Sequence, residues 1–135
     1  MDLDRFVAAQ EGVFDRAVAE LRAGAKRSHW MWFVFPQIAG LGRSDMAQRF
    51  AIAGRTHARA YLAHPVLGAR LIEATAAMLS AKGTAEGILG PVDAVKLRSS
   101  MTLFEAAADD PAPFARVLDR FFGGERDAAT LARLQ

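Results

Sequence analysis

The sequence predicts an all-α fold, a compact single-domain, bundle-like array of amphipathic helices over residues 1–135, and three observations lead there. Apolar residues recur at helical spacing through most of the chain, which gives each stretch one apolar stripe. Three prolines, Pro65, Pro91 and Pro111, fall where such stretches begin. A proline suits the first helical turn because the amide it lacks would have no helical acceptor there. Finally, no Asn-Gly or Asp-Gly turn separates alternating runs, and alanine is plentiful where valine and isoleucine are sparse, a balance that favours helix over strand.

The elements follow in order. Val13, Phe14, Ala17, Val18 and Leu21 predict a helix from Glu11 to Ala23 that stops at Gly24. Trp30 to Phe35 is an unbroken apolar run whose periodicity fits helix or strand. A strand would be buried on both faces and would need partners that the rest of the chain does not supply, so a buried helix is expected. Ser28 is its expected N-cap, and Pro36 disfavours helical geometry at Phe35, so the helix should end there. Ser44 is placed to cap a short helix, and another should cover Thr56 to Ala63. Beyond Pro65 the stripe is Leu67, Leu71, Ala74 and Met78; beyond Pro91 it is Ala94, Leu97, Met101, Phe104 and Ala108. After Pro111 it is Phe114, Val117, Leu118 and Phe121, with Asp110 as the expected cap. Gly83 and Gly123-Gly124 supply stops, and Asp127 should cap a last helical turn through Leu134.

Composition narrows the functional classes. The chain has the size of one ordinary domain, able to bury a core without covalent staples. Its formal net charge of +2 is too small to argue for nucleic acid, whose binding draws on many phosphate contacts. With no cysteine, disulfides, zinc-thiolate sites and thiol nucleophiles are excluded. His29, His57 and His64 show no metal-ligand spacing, so neither a metal nor another cofactor is expected. His57 and His64 read as surface residues. The start Met1-Asp2-Leu3-Asp4-Arg5 carries acids where a signal peptide carries bases, and no apolar run is long enough to span a bilayer. The expected address is the cytoplasm, with no membrane partner.

Four blocks carry a resemblance. They are Ser28-His29-Trp30-Met31-Trp32-Phe33-Val34-Phe35-Pro36-Gln37, Gly40-Leu41-Gly42-Arg43-Ser44, Ala60-Tyr61-Leu62-Ala63-His64-Pro65-Val66-Leu67-Gly68, and Lys96-Leu97-Arg98-Ser99-Ser100-Met101-Thr102-Leu103-Phe104. Together they resemble the signature blocks of a bacterial and fungal family catalogued as domain of unknown function 1810, over roughly Phe6 to Phe121. Its members are often labelled calpastatin-like. The resemblance implies a compact, mainly helical domain and carries no activity, ligand or catalytic residue to these positions.

Two segments could bind a ligand. In Gly40-Leu41-Gly42-Arg43-Ser44 a glycine loop enters a helix, where unpaired amides, the Arg43 guanidinium and the Ser44 hydroxyl could meet an anion. The lysine and glycine spacing of a P-loop are missing. In Lys96-Leu97-Arg98-Ser99-Ser100-Met101-Thr102 hydroxyls fill the middle of an expected helix at a cost in propensity, so a use for them is sought. The reading is a basic pocket for a small anionic or phosphorylated, nucleotide-like ligand. Arg43, Ser44, Lys96, Arg98 and Ser99 are its donors, and Trp30, Gln37 and His29 shape its wall. Trp30 and Trp32 cannot share one helical side, so at least one of them packs in the core.

A protein-interaction or regulatory module using a groove between helices is the rival. A hydrolase or transferase on a nucleotide-like substrate, with His29 as acid or base, is a second alternative. An aromatic pocket joined to the Gly40–Gly42 loop would favour the ligand, whereas a flat apolar patch would favour the partner protein.

Overall fold

The computed structural model describes residues 2–134. Among them are ten helices: α1 (Asp4–Gln10), α2 (Phe14–Arg22), α3 (Met31–Val34), α4 (Asp45–Arg49), α5 (Arg55–Ala63), α6 (Leu67–Ser80), α7 (Ala85–Leu89), α8 (Pro91–Ala107), α9 (Ala112–Phe122) and α10 (Ala128–Arg133). The β contact among the described residues is a single isolated bridge between Ile38 and Ile52. The all-α expectation holds.

Helix α8 is the axis of the molecule, packed by α5, α7, α9 and α10, while α6 joins α2, α5 and α9 into the surrounding layer. Pro91 opens α8 at its first position. The stripe Ala94, Leu97, Met101 and Phe104 is buried as its spacing requires, but Ser99, Ser100, Thr102 and Leu103 are buried too. Neighbours on several sides therefore cover the second half of α8. Aromatic rings knit the core: Phe6 meets Phe50 at 5.6 Å and Tyr61 at 5.3 Å, and Tyr61 continues to Phe104 at 5.4 Å. Where α5 turns into α6, Gly68 permits a close approach, because a Cβ there would lie 2.1 Å from the Leu62 carbonyl oxygen.

Several expected boundaries shift. The helix read from Glu11 begins at Phe14, because the chain turns at Gly12 (φ 71°) and a separate α1 precedes it. The run Trp30 to Phe35 yields one helical turn that ends at Phe35 as expected, but Trp30 occupies the cap position and Ser28 does not cap. The Ser28 hydroxyl donates instead to Glu20, at 2.6 Å. Two residues beyond Pro65, α6 begins at Leu67, and His64 closes its start: the imidazole Nδ1 accepts from the Val66 and Leu67 amides at 3.1 and 3.2 Å. Ser44 and Asp127 cap α4 and α10 as predicted. Asp110 accepts from the Ala112 amide at 3.1 Å. The short α7, capped by Thr84, follows Gly83 and was not anticipated. His57 is buried rather than on the surface, where its Nδ1 accepts the Ala53 amide at 2.9 Å.

Candidate functional site

The glycine loop is held at its base by the Ile38–Ile52 bridge, in which the Ala39 amide donates to the Ile52 carbonyl (2.8 Å) and the Ile52 amide to that of Gln37 (2.9 Å). At its far end the Ser44 hydroxyl accepts the Ala47 amide at 3.1 Å, and the Gln48 side chain donates to the Arg43 carbonyl at 2.9 Å. Across from the loop, α8 starts at Pro91 behind Gly90, with no side-chain cap. The two segments enclose a groove of about 420 Å³. Leu41, Gly42, Pro91, Val92 and Val95 form its apolar floor, and Gln37 and Lys96 are its polar members. Val92 and Val95 are 67% and 55% exposed, an unusual state for two valines three residues apart on one helix.

Lys96 belongs to a partly buried charge cluster. Asp93 pairs with Lys26 at 2.9 Å and with Lys96 at 3.6 Å, so one carboxylate serves two ammonium groups. The cluster carries one positive charge in excess, drawn in by aromatic faces: Lys26 stands 5.2 Å from the Trp30 ring centre and Lys96 5.2 Å from that of Trp32. A cation held in such surroundings favours an anion close by, since partial burial weakens screening by water.

The other residues singled out from the sequence divide differently. Arg98 pairs with Glu125 at 3.1 Å and with Asp127 at 3.8 Å, and Ser99 donates to Asp127 at 3.1 Å. These acidic partners hold the Arg98 side chain, which does not line the groove. The mid-helix hydroxyls thus hold the C-terminal segment: Thr102 accepts the Asp127 amide at 3.0 Å, and Asp127 in turn accepts the Thr130 amide at 3.0 Å. Arg43 is exposed beside Gly42. His29 is exposed, and its neighbour Ser28 is committed to Glu20, so adjacency in sequence produces no Ser-His dyad. Trp30 is fully buried and lines no groove; half-buried Trp32 stands closer to the site, through Lys96.

Glu20 is the structural residue that spacing alone did not reveal. Its carboxylate accepts the Arg27 amide (2.8 Å), the Ser28 amide (3.0 Å), the Ser28 hydroxyl (2.6 Å) and the Trp30 indole N–H (2.9 Å). Burial alone would raise its pKa, but these hydrogen bonds to the charged form prevail and lower it to about 2. The sequence signal was present in the capping-rich Ser28 and a tryptophan needing an acceptor; the partner eight to ten residues upstream was not.

A second groove, of about 740 Å³, lies between α5, α6, α8 and α9, with Leu62, Ile72 and Phe114 in its floor and Arg59, Asp109 and Asp110 at its edges. Arg59 donates to the Ala107 carbonyl at 3.4 Å and Asp110 holds the start of α9, so two of these three charges already close helix ends. No local motif announces this groove, because it is assembled from four helices.

The family model described as a protein of unknown function, DUF1810, matches residues 1–134. The chain belongs to this family. Among solved structures it is similar to the conserved hypothetical protein Rv1873 from Mycobacterium tuberculosis, at 50% sequence identity and a TM-score of 0.96, over 98% of this chain and 96% of that one. The comparison with curated proteins gives no match. The family thus carries a fold with it and no function. Among the described residues no group of three or more His, Asp or Glu side chains is arranged to hold a metal ion, and no helix is long and apolar enough to cross a membrane.

Proposed function

We propose that this member of the family is a binding protein whose site is the groove between the glycine loop and the first turns of α8. Its ligand is a small molecule with an apolar body and one anionic group. The observation that carries this reading is that Gln37, Gly42 and Lys96, from segments far apart in sequence, line one groove whose remaining wall is apolar. The apolar body covers Leu41, Val92 and Val95, removing exposed hydrocarbon from water. The carboxylate or phosphate sits at Lys96, where Asp93 leaves one cationic charge uncompensated, and the exposed Arg43 follows groove-lining Gly42 in the chain. Gln37 offers an amide to orient it. Arg98 and Ser99, engaged with Glu125 and Asp127, take no part.

Isothermal titration with octyl phosphate, against inorganic phosphate and neutral octanol, tests this reading. Octyl phosphate should bind with one-to-one stoichiometry and far more tightly than either fragment, and Lys96→Ala should weaken it about tenfold or more, the scale of a charged hydrogen bond. Equal binding of octanol, or no effect of Lys96→Ala, would refute it. The exposure of Val92 and Val95 also favours a protein partner on the same floor. That alternative predicts no saturable binding of octyl phosphate.

A further inference from the structure

Gly40 stands in the loop that forms one wall of the groove, and the space its side chain would fill is taken. A Cβ at Gly40 would fall 2.4 Å from a terminal nitrogen of Arg133 and 2.7 Å from its guanidinium carbon. Gly40 also has φ at 97°, so glycine is required twice over, for the turn and for the contact. Arg133 comes from α10, the last helix, which no motif connected with the loop.

The way α10 is attached explains how Arg133 arrives there. Its first residues sit on the middle of α8: the Asp127 amide donates to Thr102, and the Asp127 carboxylate accepts from Ser99, one turn earlier. Six helical residues rise about 9 Å, the reach that carries Arg133 from that clasp to Gly40. Gly40 in turn stands two residues from groove-lining Gly42. The fastening is mainly polar, for Thr130 is the one buried residue of α10. Asp127 is joined in it by Arg98 and Thr130, while Arg126 pairs with Glu105. Among the described residues Arg133 has no acidic partner within ion-pair distance.

We infer that Arg133 is a binding residue of the groove: the C-terminal helix carries its guanidinium to the glycine loop, where it grips the ligand's anionic group opposite Lys96. The inference rests on the anion-binding reading given above and adds a residue and a coupling to it. A planar guanidinium grips two oxygens of a carboxylate or phosphate at once, which the point charge of Lys96 cannot do. Because Arg133 is positioned by the Asp127 clasp, loading the groove and docking α10 reinforce each other. The polar residues in the middle of α8 thereby serve the site from a distance, as positioning residues.

Three variants of the full chain, Lys96→Ala, Arg133→Ala and Arg133→Lys, are titrated with octyl phosphate, and amide hydrogen exchange is followed over residues 38–44 and over α10. Arg133→Ala should weaken binding about tenfold or more without lowering thermal stability, since the side chain is exposed, and should speed exchange in the loop. Arg133→Lys should restore part of the affinity, and saturating octyl phosphate should slow exchange in α10 of the wild type. If Lys96→Ala loses binding while Arg133→Ala keeps wild-type affinity, the groove stands and the role given to Arg133 falls. If the wild type binds no octyl phosphate, the site and Arg133's part in it fall together.

Discussion

Replacing Glu20 by Ala removes the acceptor on which the segment from Arg27 to Trp30 is hung. The buried Trp30 indole N–H would lose its partner at 2.9 Å, and the Ser28 hydroxyl its bond at 2.6 Å to a charged oxygen. The Arg27 and Ser28 amides lie nearer the surface, where water replaces part of what they lose. An unsatisfied buried donor and a lost charge-assisted bond together give about 3–4 kcal/mol. Glu20→Gln keeps one acceptor oxygen and should cost about 1–2 kcal/mol. The pH dependence gives a second, independent measure. A carboxyl whose pKa falls from 4.5 in the unfolded chain to about 2 in the folded one contributes stability that is complete above pH 4.5. That stability drains away as pH falls toward 2. The shift corresponds to about 2–3 kcal/mol after solvent screening at its outer edge. Urea unfolding followed by tryptophan fluorescence, from pH 6 to 2.5, reads both quantities. A loss under about 1 kcal/mol in Glu20→Ala, or the same acid slope in wild type and Glu20→Gln, would refute the reasoning.

Gly68→Ala, a substitution that ordinarily strengthens a helix, should here destabilise by about 3 kcal/mol, because the new methyl group meets the Leu62 carbonyl of the backbone. A calorimetric melting temperature equal to or above that of the wild type would mean that α5 and α6 can part at no cost. Burial first, and then the Arg5 guanidinium, push the His57 pKa below its ordinary 6.5, and its Nδ1 must stay unprotonated to accept the Ala53 amide. The unfolded chain therefore takes up a proton that the folded one refuses, and stability falls as pH drops below 6.5. His57→Gln, which keeps an acceptor, should lose that part of the slope between pH 7.5 and 5.5; an unchanged slope would assign it to other groups.

Where an element is fixed by its own residues, the sequence reveals it. Pro91 opening α8, Ser44 and Asp127 capping α4 and α10, and Pro36 ending the turn at Phe35 are all local geometry. Burial of Trp30 and Phe35 followed from their apolar surroundings. What escaped depends on contacts between distant segments. Ser28 has every property of an N-cap, yet the carboxylate of Glu20 is a stronger acceptor for its hydroxyl than helix amides are donors to its oxygen. His64 caps α6 through a ring nitrogen, a use that no capping preference predicts.

Of the eight residues nominated from the sequence, Gln37 and Lys96 line the groove. The glycine loop and Lys96 do border one groove, because the Ile38–Ile52 bridge and the uncapped start of α8 face each other. Arg98, Ser99 and Thr102 were grouped with them by nearness in sequence. Their hydroxyls and guanidinium are instead engaged by Asp127 and Glu125, partners 25 to 29 residues away. Arg133 was invisible for the same reason: its proximity to Gly40 exists only once α10 has docked on α8.

A titration of isotopically labelled protein with octyl phosphate, followed by amide chemical shifts, locates the ligand on the molecule. Saturable shifts should centre on Leu41, Gly42, Val92, Val95 and Lys96, with Ile72 and Phe114 unmoved. Shifts centred on Leu62, Ile72 and Phe114 in the larger groove, or none at saturating ligand, would contradict that location.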